Sequence, residues 1–250
     1  MSSSSASKAA RKSSLDTTSL LAQSRLFRNV PVETVRRAAE RGALRELGPG
    51  QILFWQGERG DILYFVIEGE LRSVRQDARG REQVLATHHA GAVLDLVSGV
   101  DSGPFYCTVI ADTNSRLLCL EKRVLDELCR ESPDLLWNVG LCLAGTIRHY
   151  AEVIETLALR NVDQRVAQFL LSLCEQTAAQ NGDCRELKLT MTQPEMAAHV
   201  GSTREVVCRA LAHLQKQGLI VTNGPHHIRI PDIRALRKFA GVESALEPRP

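Results

Sequence analysis

The chain has 250 residues, 44% of them hydrophobic, and a net charge of +2, with 31 Lys and Arg against 29 Asp and Glu. This is length for one large domain or two ordinary ones, with enough apolar material for a packed core. No apolar run is long enough to span a membrane, and no global basic excess marks the whole chain as a nucleic-acid binder.

The charge is nonetheless uneven. Residues 190–240 carry seven Lys/Arg against three Asp/Glu, a net of +4, which leaves −2 for the rest. A basic module joined to a near-neutral one fits that split. The seven cysteines are odd in number and have no close pairs. The start "MSSSSASKAARKSS" has no apolar core that could serve as a signal peptide. Reduced, mostly buried thiols in a cytoplasmic protein are therefore expected.

Residues 1–16 read as a disordered tail, and residues 17–132 as one N-terminal domain. Helix-like patterns occupy 17–45. From 46 to 122, short β-branched and aromatic runs ("QILFWQG", "DILYFVIEG", "FYCTVIA", "SRLLCLE") are broken by glycines. Many short strands between glycine turns predict a β-roll or jelly-roll-like sandwich.

Residues 133–160 read as one long helix. Leu136, Gly140, Leu143, Ile147, Tyr150, Ile154 and Leu157 recur in steps of 4 and 3, an unbroken heptad seam. A core-facing amphipathic helix gives the same period. The narrow seam, sustained over more than three heptads, favours packing against a twin helix in a homodimer, with Gly140 letting two backbones approach.

Residues 161–240 read as helix, helix, helix and hairpin, followed by a tail at 241–250. Thr192 with Glu195, and Ser202 with Glu205, have capping-box spacing at the starts of two successive helices. Pro194 fits a first helical turn, and Gly201 supplies the left-handed residue of a sharp turn between them. "GLIVTNGPHHIRI" has two β-rich runs about Asn223-Gly224, a hairpin signal. On a helical wheel Val207, Ala210, Leu211 and Leu214 share one side. Glu205, Cys208, Arg209 and Ala212 share the other, with Arg204 at its edge. The short Cys208 and Ala212 let the helix sit deep in a groove. Arg204 and Arg209 can each bond guanine O6/N7 in bidentate fashion, and Glu205 can accept from cytosine N4. The plainer reading is a solvated face with a capping Glu205; the preceding helix, the Gly201 turn, the wing and the local charge weigh against it. Thr192, Gln193, Ser202 and Thr203 are the expected phosphate contacts. His226 and His227 in the wing read as surface turn residues. Cys208, beside Arg209, is a candidate redox site, its thiolate favoured by the neighbouring charge; a small residue chosen for fit is the alternative.

This order of parts resembles the cAMP receptor protein/FNR family of bacterial transcription regulators over nearly the whole chain after the tail. "MTQPEMAAHVGSTREVVCRALAHLQKQGLI" resembles the family's helix-turn-helix, and "PGQILFWQGERGDILYFVIEGELRSVRQDARGREQVL" its β-roll start. The resemblance implies an α+β protein: β-roll sensor domain, long dimerisation helix and C-terminal winged helix-turn-helix. It also implies contact with RNA polymerase. Arg204, Glu205 and Arg209 match the cAMP-receptor type of reader, so a TGTGA-like inverted repeat is the expected site. FNR-type readers generally lack the arginine at the position of Arg204.

Cyclic-nucleotide binders of the family carry Gly-Glu and then Arg-Ser in the stretch matching "AVLDLVSGVDSGPFYCTV". Here Asp95 stands for the glutamate, Leu94 for the glycine, and Phe105 and Tyr106 for Arg-Ser. Tyr150 stands where a small polar residue would meet the base. Asp95, Phe105, Tyr106 and Tyr150 thus mark the candidate effector pocket. With no cation between Gly91 and Ala111, a cyclic phosphate would be buried without a counter-charge, so no cAMP response is expected. An iron–sulfur cluster of the FNR kind needs a group of N-terminal cysteines, and the first cysteine is Cys107. Haem stays open, because "GPFYCTVIADTNSRLLCL" and "GREQVL" look somewhat like nitric-oxide-responsive members. Its candidate ligands are His88, His89, His149, Cys107 and Cys119. His88 and His89, neighbours on a strand, point to opposite faces.

Two rival classes remain. A cupin-like metal enzyme would need histidines and a carboxylate converging in the roll, and no H-x-H pattern occurs. A scaffold whose winged helix binds protein would show a more apolar face than Arg204, Glu205 and Arg209 give.

Overall fold

The computed structural model describes residues 17–242 except Arg79, residues 182–185 and Pro225. The expected tail 1–16, and 243–250 of the expected tail 241–250, lie outside the described residues. Two compact units emerge: the described residues up to Arg75 with Leu85–Tyr150, and Gln76–Val84 with Ala151 onward.

Along the chain, α1 (residues 17–23) and α2 (Val32–Arg41) precede two four-stranded sheets. One has the order β1-β8-β3-β6, with β1 Ala43–Leu47, β3 Ile62–Glu68, β6 Val93–Leu94 and β8 Ser115–Glu121. The other has the order β2-β7-β4-β5, with β2 Ile52–Phe54, β4 Leu71–Gln76, β5 Glu82–His88 and β7 Thr108–Ala111. The registered pairs are antiparallel. The expected roll is thus present, with the helix α3 (Leu96–Asp101) set into it.

The uninterrupted apolar run "ILYFVI" in β3 has a simple cause: both faces of its sheet are covered. Leu63, Phe65 and Ile67 face helices, packing with Phe27, Val35, Leu125 and Leu135. Tyr64 and Val66 point the other way, onto Phe54, Leu71, Phe105 and Val109 of the roll interior. A strand buried on both sides loses the polar alternation of a half-exposed one. Gly69 makes one tight return possible: its φ is +95°, and a Cβ there would come within 2.6 Å of the Asn114 carbonyl oxygen.

Two helices follow the last strand. The first, α4 (Lys122–Glu131), lies inside a stretch whose sequence reading named no helix; it buries Val124, Leu125 and Leu128. The second, α5 (Pro133–Leu159), has the bounds that the heptad pattern indicates.

The second unit is built on α6 (Val162–Asn181), α7 (Gln193–Val200) and α8 (Arg204–Lys216). Its small sheet has the order β10-β11-β9, formed by Val221–Thr222, His227–Arg229 and Glu186–Lys188. The first two strands are the expected hairpin, closed by Asn223 N–H on the His227 carbonyl with Gly224 at φ +88°. Two elements exceed the sequence reading: strand β9, and helix α9 (Ile233–Ala240), capped by Asp232, whose side chain accepts from the N–H groups of Arg234 and Ala235. Val166, Leu170, Met196, Val207, Leu214, Ile228 and Leu236 share one core.

Candidate functional site

The two helices α7 and α8 are placed by local chemistry. Thr192 caps α7 as the spacing indicates: its hydroxyl accepts from Glu195 N–H, and Glu195 Oε2 accepts from Thr192 N–H at 2.6 Å. Its hydroxyl proton is spent on Glu195 as well, at 2.9 Å. Gly201 ends the helix at φ +65°, ψ +50°, and Ser202 N–H closes the turn on the Ala197 carbonyl. A side chain at Gly201 would be strained there.

The second capping box is a correction. The N-cap of α8 is Thr203, not Ser202, and no side chain caps it. Ser202 is taken up by the turn that closes α7, so the helix starts one residue later. Glu205 then sits second in the helix rather than third, out of capping-box register. Among the described residues, no hydrogen bond or ion pair engages the side chains of Arg204, Glu205 or Arg209, and all three are exposed. They line, with Thr203 and Cys208, an open concavity of about 830 Å³.

The opposite side of α8 is anchored by Val207, Ala210 and Leu214, each at most 1% exposed, with Leu211 partly buried. A fixed helix thus offers two guanidinium groups and one carboxylate that no described residue consumes. Cys208 is half-buried on that face, and its Sγ donates to Gln193 Oε1 at 2.9 Å, a contact that no sequence pattern announces. Exposed His226 and His227 contribute backbone to the wing, where Leu189 N–H donates to the His226 carbonyl.

Along α5 the predicted seam divides. Leu136, Ile147 and Ile154 are 57%, 70% and 65% exposed, and Leu157 is 38% exposed. A Cβ on Gly140 would meet nothing. Leu143 is half-buried against the helix-side core. Tyr150 departs from the seam. It turns toward the roll, donates its hydroxyl to Tyr106 Oη at 3.0 Å and meets that ring edge-on, with centroids 6.0 Å apart. Trp137 and Leu141, outside the heptad set, are also exposed.

The candidate effector residues do not form one kind of surface. Phe105 belongs to the core: it is buried and stacks on Phe54 with ring centroids 3.8 Å apart. Asp95 is 6% exposed, in left-handed backbone at φ +50°, and neither carboxylate oxygen has a hydrogen-bond partner of good geometry. Ser98 is near, but its hydroxyl donates to the Pro104 carbonyl. Burial holds the Asp95 carboxyl up to about 6, against an opposing pull from Ser98. Burial likewise pushes the Tyr106 and Tyr150 hydroxyls up and the Cys107 thiol up to about 11.

His88 and His89 diverge as expected. His88 turns inward onto Ser73 Oγ at 2.6 Å, and burial first, then the neighbouring His149 and His89, lowers it to about 4. His89 is exposed. His149 meets the Leu85 carbonyl at 2.9 Å. Cys119 is half-buried, and burial raises its thiol. Among the described residues, no three His, Cys, Asp or Glu side chains are grouped to hold a metal ion, and no helix is long and apolar enough to cross a membrane.

Comparison with known proteins places both units. Residues 164–239 match the family described as Crp-like helix-turn-helix domain, and residues 44–132 that described as cyclic nucleotide-binding domain. The fumarate and nitrate reduction regulatory protein of Escherichia coli (strain K12) is 30% identical over 194 residues, 77% of this chain and 76% of that protein. Among solved structures, the c-di-GMP-responsive global regulator CLP of Xanthomonas campestris superposes with a TM-score of 0.71. It is 22% identical, over 81% of this chain and 100% of that one. A transcriptional regulator of the CRP family from Thermus thermophilus gives 0.62 at 25% identity, over 81% and 98%.

Proposed function

Because the chain belongs to the CRP/FNR family of transcription regulators, DNA-binding helix-turn-helix proteins and not enzymes, we propose that it acts as a homodimer reading a TGTGA-like inverted repeat. The observation that carries this reading is the unengaged trio Arg204, Glu205 and Arg209 on the exposed face of an otherwise anchored helix. The two arginines take guanines, and Glu205 takes a cytosine amino group. Gln193, Ser202 and Thr203 contact phosphates, with Thr192 contributing through the cap it makes rather than through its own hydroxyl. The exposed apolar strip Leu136, Gly140, Ile147, Ile154 and Leu157 supports pairing of two α5 helices. That pairing sets two reading helices about one DNA turn, roughly 34 Å, apart. Contact with RNA polymerase is part of the same proposal, supported by the resemblance to the family's regulators.

The sensor half responds to something other than cAMP. Asp95 is a buried acid with no cation among the groups that shift it, and an anionic phosphate beside it would add a second uncompensated charge. Haem does not fit these side chains. Cys107 is held as a protonated thiol, His88 is engaged with Ser73, and the Phe54–Phe105 stack fills the interior. Among the described residues, the cysteines likewise are not grouped as a cluster ligand set.

The test is fluorescence anisotropy with a duplex bearing the inverted repeat and with a scrambled duplex of equal length, across a salt series. Expected are specific binding and a linear fall of log affinity with log salt. Equal affinity for both duplexes would overturn the reading. Calorimetry with cAMP and cGMP is expected to give no heat at micromolar concentrations; micromolar binding would overturn the sensor half of the proposal.

A further inference from the structure

We propose that Cys208 is a positioning residue for backbone recognition: its thiol holds the Gln193 side-chain amide so that the NH2 end is left to donate to a DNA phosphate. The proposal rests on α8 being the DNA-reading helix.

The chemistry of the pair fixes the orientation. Cys208 Sγ lies 2.9 Å from Gln193 Oε1. A thiol offers one proton, and of the two ends of a glutamine amide only the oxygen accepts. With Oε1 committed to sulfur, the amide cannot flip, and the two N–H groups of Nε2 are left to donate elsewhere. Among the described residues, no other hydrogen bond holds the Gln193 side chain. The sulfur is therefore its single tether.

The placement serves a phosphate. Gln193 is the first residue of α7, the end at which the helix dipole favours an anion; because Pro194 lacks an N–H and the Glu195 N–H is taken by Thr192, the Gln193 side-chain amide is left to donate there. Cys208 stands one turn beyond Arg204 and next to Arg209 on α8. One hydrogen bond thus ties the helix that carries the base-reading arginines to the amide at the head of its neighbour. Base readout and backbone register are fixed together, and the amide loses little rotamer freedom on binding because it is already held. Alanine would fit the same space but would leave the amide untethered. This accounts for a thiol here, where shape alone asks only for a small side chain.

The experiment measures affinity for the inverted-repeat duplex and for versions in which each phosphate in turn is a neutral methylphosphonate. Wild type is expected to lose roughly 3- to 10-fold at one phosphate in each half-site. Gln193→Ala and Cys208→Ala should bind the unmodified duplex more weakly by a similar factor and be indifferent to that methylphosphonate. Cys208→Ser, which keeps a donor, should restore the sensitivity. The double alanine variant should be no weaker than Gln193→Ala, and base preference should be unchanged throughout. Wild-type sensitivity in Cys208→Ala, or additive losses in the double variant, would overturn the proposal.

A readout without DNA separates this outcome from failure of the parent reading. In the free protein the Gln193 side-chain amide NMR signals should shift in Cys208→Ala and return toward wild type in Cys208→Ser. Unchanged signals in Cys208→Ala would overturn the tether even if DNA binding proved sound.

Discussion

The reading helix and the sensor interior spend their polar groups in opposite ways. On α8, Arg204, Glu205 and Arg209 are exposed and unengaged, above a side anchored by Val207, Ala210 and Leu214. In and against the roll, polar side chains that are half-buried or buried are spent on one another: Tyr150 on Tyr106 and His88 on Ser73. Asp95 is the buried acid among the described residues whose two carboxylate oxygens lack a well-formed hydrogen bond. A surface that recognises a large anionic ligand needs a rigid base with free donors. A cavity that is already satisfied by its own side chains offers an incoming ligand little beyond that one acid.

The comparison is broken most severely by separating the two reading helices. Ile147→Glu with Ile154→Glu places four charges on the proposed seam of a dimer. Analytical ultracentrifugation should find monomers, and operator affinity should fall by at least about 100-fold through lost bivalency. A dimer of wild-type affinity would remove the seam from the account.

The sensor side is sharpened by Asp95→Asn. The native carboxyl sits near 6, above its ordinary 3.8. The stability it contributes is therefore full below about 3.8 and lost as pH rises through 6. At pH 7 the ionised acid is a burden, and asparagine, which tolerates left-handed backbone, removes it. The variant should be more stable at pH 7 by about 1–2 kcal/mol in urea denaturation. His88 has the opposite sign. Lowered to about 4, it contributes stability above 6.5 that is lost as pH falls through 4. The two nearly cancel in wild type over that window, so Asp95→Asn should lose stability more steeply on acidification than wild type. A parallel pH profile would contradict the assignment.

The smallest expected effect is that of Tyr106→Phe. It deprives the Tyr150 hydroxyl of its acceptor and should cost about 0.5–1.5 kcal/mol, read in the same urea experiment, with operator affinity unchanged. A large loss of DNA binding would instead mean that this contact couples sensor to reader.

Legibility in the sequence follows the same division. The α7–α8 pair was readable because its determinants are local: Thr192 and Glu195 three residues apart, Gly201 at the turn, and an apolar period ending at Leu214. The misplaced cap shows the limit, since the choice between adjacent hydroxyls at Ser202 and Thr203 depends on where the preceding turn closes. The helix α9 was within reach, with Asp232 capping and Ile233, Leu236 and Ala240 spaced for burial. In the sensor, the heptad pattern located α5 but could not reveal that Tyr150 leaves the seam for Tyr106, a residue 44 positions away. The isolation of Asp95 and the Ser73–His88 pair are likewise products of tertiary packing, and local pattern carries no trace of them.

The central claim is that Arg209 reads a guanine edge. The most direct measurement compares an inverted-repeat duplex with one in which the half-site guanines are replaced by 7-deazaguanine, which lacks N7. Wild type should lose about 10-fold or more on replacement, while Arg209→Ala, already weaker, should lose far less, because the bidentate bond is gone. Equal sensitivity of the two proteins to the missing N7 would contradict the account.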